Sequence, residues 1–156
     1  MLKLLDYPPI WLLAALGLAR ASTLVWAVPG AVLPAIGWAL VALAAGLMAL
    51  AAGRFLRHRT TIVPHRVPDR LITDGIFAYS RNPIYLADVI LLAGFILTWG
   101  AHLAWPLVPA LAWVLHRRFI LPEETRLRAT FGAEAEAYLT RTGRWFKVPQ
   151  GDRNDP

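Results

Sequence analysis

Two short polar signatures hold the side chains best suited to chemistry. One is Gly75-Ile76-Phe77-Ala78-Tyr79-Ser80-Arg81-Asn82-Pro83-Ile84-Tyr85; the other is Pro122-Glu123-Glu124-Thr125-Arg126-Leu127, followed by Phe131-Gly132. Together they offer arginines, adjacent carboxylates, an amide and phenols, with His65 in the same polar stretch upstream. That mix suits a ligand with charges of both signs and an aromatic part: carboxylates for a cation, guanidinium groups for an anion, rings for stacking or cation–π contact. It spells no nucleophile–base–orienter triad and no phosphate-cradling glycine loop. With no cysteine and four scattered histidines, no metal site is expected.

Each element also has a purely structural reading. Glu123 and Glu124 suit the positive end of a helix. Arg81-Asn82-Pro83 suits a helix start whose arginine reaches a membrane interface, and Tyr85, Trp99, Trp105 and Trp113 suit aromatic belts or helix packing. His58 and His65, in an arginine-rich loop, are expected to be solvated. Asp88 is harder to dismiss. One turn inside an apolar helix, a carboxylate is costly unless paired or facing water; Arg54, Arg57 and the Tyr79 hydroxyl are candidate partners.

The elements that must position these groups are apolar. At 156 residues, 57% hydrophobic, 17% charged and a mean hydropathy of +0.48, the chain is too apolar for an ordinary soluble domain and reads as one small membrane domain. Four apolar segments, 8–28, 32–53, 83–99 and 103–121, each of roughly 17 to 22 residues, reach across a hydrocarbon core of about 30 Å. Arg20, in the first, is read as snorkelling. No small-x-small cleavage site separates that segment from a polar region, so it is read as a retained helix rather than a signal peptide. Pro29-Gly30 and Pro34 mark the first turn; Trp99-Gly100-Ala101-His102 is short enough to force an antiparallel hairpin. A hairpin returns the chain to the side it left, so both signatures should face one compartment.

Pro122 should open a tail helix over 122–142, with Leu127, Phe131, Ala135 and Tyr138 or Leu139 on one stripe, Gly143 as its stop and a loose end from Gln150. The expected fold is all-α: an integral membrane bundle of about four transmembrane helices plus a C-terminal amphipathic helix, a single domain over 1–156. The net charge is +6 and the pI about 10.5. The arginines flank apolar spans, which favours anionic lipid headgroups over nucleic acid. Loop 54–82 carries six arginines against two acids and the tail from Arg117 eight basic residues against six acids, whereas the other two connections carry no charge. The positive-inside rule then places loop 54–82 and both termini in the cytoplasm, in a multi-pass protein of the cell inner membrane. Ala45, Gly46 and Ala49 suit close helix contact, within the chain or between copies.

The order from Leu71 through Asp74-Gly75 and Arg81-Asn82-Pro83-Ile84-Tyr85 to Leu86, then the hairpin, Glu123-Glu124, Leu127, Phe131-Gly132 and Tyr138, resembles the isoprenylcysteine carboxyl methyltransferases. Related membrane methyltransferases of phospholipid amines and small thiols share much of this pattern. The likeness covers about half the chain, from Pro68 to Trp145. It implies an enzyme dependent on S-adenosylmethionine. By matching positions, Asp69, Arg70, Leu71, Ile72, Phe77, Asn82, Pro83, Ile84 and Tyr85 would line the cofactor site, with Glu123 and Glu124 beside it. The family associates an arginine shortly before the glutamates, together with a glutamate, with the lipid substrate and the reaction centre. Arg117 and Arg118 lie nearest, with the spacing shifted and Phe119 at the expected place, so Arg117, Arg118, Glu123 and Glu124 are the catalytic candidates. The family's frequent Arg-His-Pro is Arg-Asn-Pro here, and its Gly-Pro-Tyr is Gly75-Ile76-Phe77.

The expected reaction is methyl transfer to a lipid-linked or hydrophobic acceptor at the membrane, foremost the carboxylate of an isoprenylcysteine-like substrate. A sulfonium methyl group is already activated, so a carboxylate acceptor needs placement more than a base. No general base stands out in the sequence, whereas an amine or thiol acceptor would have to lose a proton. Methylation of a phospholipid amine or small thiol is the alternative within the class. The alternative outside it is a non-catalytic membrane scaffold or lipid-binding protein whose polar signatures are only caps and anchors.

Overall fold

A computed structural model describes residues 7–28, 32–58 and 70–146, which are helical with no strand among them. The turn at Pro29-Gly30, the loop residues His65 and Asp69, and the end beyond Phe146 lie outside the described residues.

Helix α1 spans Pro8–Ser22, opening on prolines that need no N–H partner. It stops short of the expected span to residue 28. Ser22 Oγ and Thr23 Oγ1 donate to the carbonyls of Ala19 and Arg20 at 2.8 and 2.7 Å, the kind of back-bonding that competes with helix continuation. Helix α2 spans Val32–His58, 27 residues, and so absorbs Arg54 to His58, which the sequence reading assigned to the loop. Helix α3 spans Pro83–Trp99, as expected, and ends on Gly100 in the left-handed region at φ +64°.

The next expectation fails in an instructive way. Helix α4, Leu107–Leu115, does not end before Pro122; it passes through one wide π-turn, His116–Ile120, directly into α5, Leu121–Phe131. Proline in a regular helix clashes with the carbonyl four residues back, and a π-turn immediately upstream relieves that contact without breaking the rod. The break comes instead at Gly132, φ +52°, after which α6 runs Ala133–Arg141. The expected tail helix 122–142 is therefore the continuation of the fourth apolar segment plus one separate helix.

Among the described residues one helix, Leu33–His58, is long and apolar enough to cross a membrane, and Pro83–Trp99 is a shorter apolar helix. Four spanning helices are therefore not shown: α1 has 15 residues, and α4 has 9 before the π-turn that carries it into α5.

α2 and α3 pack most closely, because neither backbone is held off by side chains where they cross. A Cβ at Gly37 would lie 2.6 Å from the Gly94 carbonyl oxygen. The main core joins α1, α3 and α4 through Leu12, Ala15, Ala19, Leu92, Ile96, Leu111, Leu115 and Phe119. Cation–π contacts tie α1 to its neighbours at both ends. The Arg118 guanidinium lies 5.4 Å from the Trp11 ring centre, and that of Arg20 lies 5.8 Å from the ring of Trp99. Arg20 thus has a partner at the hairpin turn, where Val28 N also donates to Gly100 O at 3.1 Å.

Candidate active site

At the opposite end, the polar loop is fixed first to α2. Ile72 and Phe77 form a small core with Ala51, Phe55, Ile76 and Ile84, and the rings of Phe55 and Phe77 meet edge to face at 5.5 Å. Asp74 closes this junction, accepting from Arg54 Nη1 at 2.9 Å and lying 3.1 Å from His58 Nε2. Gly75 sits at φ +57° against the Arg54 side chain, where an added Cβ would be strained and would push the guanidinium aside. From there the chain descends through Ser80, Arg81 and Asn82 into α3.

Glu124 is the hub of the site. It is 3% exposed, and its two oxygens take three guanidinium hydrogen bonds: Arg81 Nη1 to Oε1 at 2.8 Å, Arg144 Nε to Oε1 at 2.7 Å and Arg144 Nη2 to Oε2 at 2.9 Å. Arg128 adds its charge at 3.9 Å. Burial pushes the Glu124 carboxyl upward, but the Arg144 hydrogen bonds and the charges of Arg81, Arg144 and Arg128 outweigh it and hold the carboxyl below its ordinary value. The bond to Glu124 raises Arg144. Burial lowers Arg81 despite Glu124, yet a guanidinium remains charged at neutral pH.

The segment after α6 is stitched to the loop by backbone as well. Arg81 N donates to Gly143 O at 3.0 Å, and Asn82 Nδ2 and Ser80 Oγ donate to Arg144 O at 3.1 and 3.3 Å. Tyr138 Oη donates to Phe77 O at 2.9 Å, and burial raises its phenol. Glu123, one residue from the hub, is exposed and accepts from Tyr85 Oη at 3.3 Å. The Tyr85 ring leans on Phe119, 6.2 Å between centres.

Of the residues singled out in the sequence, Asn82, Tyr85, Glu123 and Glu124 come together here, with Pro83 buried beneath them. Ile72, Phe77 and Ile84 form the adjoining wall toward α2, Leu71 is half-buried, Arg70 is exposed, and Asp69 lies outside the described residues. Arg117 and Arg118 are both exposed, and Arg118 stacks on Trp11; the guanidinium groups bonded to Glu124 are those of Arg81 and Arg144. Ser80, Arg81, Gly143 and Arg144 are contributors the sequence reading left out. Arg81 stood inside a signature and was read as an interface anchor. Arg144 carried no local signal, since it lies 20 residues beyond its partner across a helix break.

Two buried side-chain nitrogens, Arg81 Nε and His116 Nδ1, have no hydrogen-bond partner among the described residues. An orphaned cationic donor beside Asn82 and Tyr85 suits the carboxylate end of an amino-acid-bearing cofactor, and Glu123 suits its cationic end. The donor set fits S-adenosylmethionine in that sense.

Neither the curated proteins nor the solved structures give a match to this chain. Residues 32–134 match the phospholipid methyltransferase family, a stretch of about two-thirds of the chain that includes the loop, the hairpin and both glutamates. The match is to this related family rather than to the isoprenylcysteine branch that the signatures resemble. Loop, hairpin and paired glutamates thus converge on one end of a helical chain that belongs to the phospholipid methyltransferase family of membrane methyltransferases.

Proposed function

We propose that the protein binds S-adenosylmethionine at the junction of loop, α3 and α5 and transfers its methyl group to a lipid-linked or hydrophobic acceptor. The observation that carries this reading is the convergence of Arg81, Asn82, Tyr85 and Glu123 around the buried Glu124, with one donor of Arg81 unused among the described residues. When bound, the cofactor supplies a methyl group activated by its sulfonium charge. The protein's own work is placement. Arg81 Nε and the Asn82 amide would hold the carboxylate end, Glu123 and the Tyr85 hydroxyl the cationic end, and Phe77 and Ile84 would wall the pocket. Glu124 acts through others, positioning Arg81 and Arg144 rather than meeting the ligand.

On this reading α1, α2, α3 and α4 all lie within the bilayer, the site faces the cytoplasm at the inner membrane, and acceptors arrive sideways from the lipid. The acceptor on this reading is an isoprenylcysteine-like carboxylate or, alternatively, a phospholipid amine or small thiol. Isothermal titration in a neutral lipid nanodisc tests the cofactor: S-adenosylmethionine should bind, and Glu123→Gln should weaken it by about tenfold, the worth of one charged hydrogen bond. A folded protein that does not bind would overturn the enzyme reading in favour of a non-catalytic scaffold.

A further inference from the structure

The chain after Gly132 lies across the groups assigned above to the carboxylate end of the cofactor. Arg81 N donates to Gly143 O at 3.0 Å, and Ser80 Oγ and Asn82 Nδ2 donate to Arg144 O. The Arg81 guanidinium shares Glu124 Oε1 with Arg144 Nε. Beside this strap, Ala133 to Arg144, the Arg81 side chain is 13% exposed and its unpartnered Nε is buried. A charged ligand arriving from water therefore does not reach Arg81 Nε until something moves. The strap is the part held least by apolar packing. α6 buries Ala135, Tyr138 and Leu139, yet none of them joins either apolar core. Its ties are polar: Tyr138 Oη to Phe77 O, Arg128 to Glu136, the bonds to residues 80–82, and the paired bonds of Arg144 to Glu124. Such bonds exchange for bonds to water with little net change, so a unit held by them opens more readily than a core helix. Its hinge is Gly132, at φ +52° and ψ −123°, where an added Cβ would meet nothing within 4 Å. Glycine at an unbuttressed junction can absorb a large change of backbone angle.

We propose that Ala133 to Arg144 is a gate on ligand exchange: it swings on Gly132, is latched by Arg144 on Glu124, and lifts to let S-adenosylmethionine reach or leave Arg81 and Asn82. This rests on the reading of the junction as the cofactor site and adds how access to that site is controlled. Arg144 is a positioning residue in this scheme. Its guanidinium does not meet the ligand; it holds Glu124 and the strap in one closed arrangement. When Arg144 leaves, Glu124 keeps its bond to Arg81, with Arg128 3.9 Å away, so opening does not strand a buried charge. A gate has a kinetic signature that a pocket wall lacks. Losing a contact to the ligand raises the off-rate and changes the on-rate little, whereas loosening a gate that covers the free and the bound site raises both rates and leaves Kd nearly unchanged.

Surface plasmon resonance on the protein in neutral-lipid nanodiscs reads both rates, with S-adenosylmethionine as the probe. Arg144→Gln should raise the on-rate and the off-rate by about fivefold or more each, with Kd within about threefold of wild type. Hydrogen exchange reads the same motion without ligand. The Arg81 amide, bonded to Gly143 O, should exchange about fivefold faster or more in Arg144→Gln, while the Leu86 amide, bonded to Asn82 O, keeps its wild-type rate. The chain has no cysteine, so Ser80→Cys with Arg144→Cys offers a reversible lock; Ser80 Oγ lies 3.3 Å from the Arg144 carbonyl oxygen. With the disulfide formed, as read by mass spectrometry, both rates should fall about tenfold or more, and reduction should carry them past the wild-type values. This pair decides the question if Arg144→Gln does not fold. A raised off-rate with an on-rate within about twofold of wild type would make Arg144 a pocket wall and overturn the gate. Unchanged Arg81 exchange in Arg144→Gln, or a locked strap that passes ligand as fast as the reduced one, would overturn it too. A folded wild type that binds no S-adenosylmethionine would overturn the cofactor site itself, whereas binding with unaltered rates in both variants would overturn the gate alone.

Discussion

Replacing Glu124 by glutamine separates the two neighbouring glutamates by a quantity that can be worked from the geometry. Glu124 takes three guanidinium N–H bonds at 2.7 to 2.9 Å while almost fully buried. A charged hydrogen bond contributes about 1.5–3 kcal/mol against 0.5–1.5 for a neutral one, so neutralising the acceptor removes about 1 kcal/mol per bond. The glutamine amide also faces one guanidinium with a donor where an acceptor stood. Arg144 is 39% exposed, so its share must be discounted for solvent screening. The expected loss is about 2–4 kcal/mol, or about 4–16 °C in Tm for a chain of this size. Glu123→Gln, disturbing an exposed 3.3 Å contact, should lose less than about 1 kcal/mol. Thermal unfolding in detergent, followed by circular dichroism, reads both. Arg144→Gln should lose less than Glu124→Gln, and the double variant no more than about the larger single loss. The acid limb has a definite sign: a carboxyl whose folded pKa lies below its ordinary 4.5 contributes stability above that value and loses it as pH falls through the folded pKa. Glu124→Gln should therefore flatten the loss of Tm below about pH 4.5. A Glu124→Gln protein melting within about 2 °C of wild type, or matching Glu123→Gln, would refute the clasp.

Three further outcomes follow from buried contacts. Tyr138→Phe leaves the Phe77 carbonyl without its buried donor and should lower stability by about 1–3 kcal/mol, seen as a lower Tm with cofactor affinity reduced only if the loop shifts. Gly37→Val forces a side chain against the backbone of Gly94 and should lose at least about 1–3 kcal/mol. Ala substitution at the open Gly46 of the same helix, where nothing lies within 4 Å, should leave Tm unchanged or slightly higher.

Much of the architecture was legible because it depends on local composition. Pro83 and the Gly100 turn fix α3 by themselves: a ring that starts a helix and a residue free to adopt positive φ to end it. The two signatures and the hairpin between them were likewise enough to bring Asn82, Tyr85, Glu123 and Glu124 to one end, since a short turn permits only an antiparallel return. The extent of the other helices was not legible. Pro122 is a strong local stop, yet the helix runs through it because a π-turn costs less than breaking a rod packed on α1 and α3.

What only the tertiary structure decided is which charges are paired in the interior and which lie at the surface. Sequence presents Glu123 and Glu124 as equivalent neighbours and Asp88 as one anomaly among several. A helix rotates adjacent residues by about 100°, so Glu124 turns inward to Arg81 and Arg144 while Glu123 turns out to Tyr85. Arg144 could be found only once Gly132 had folded α6 back over the loop. Sequence therefore determined the residue types, the apolar hairpin and the family signatures; the packing of distant segments determined that one glutamate is a buried clasp and that its neighbour meets Tyr85 at the surface.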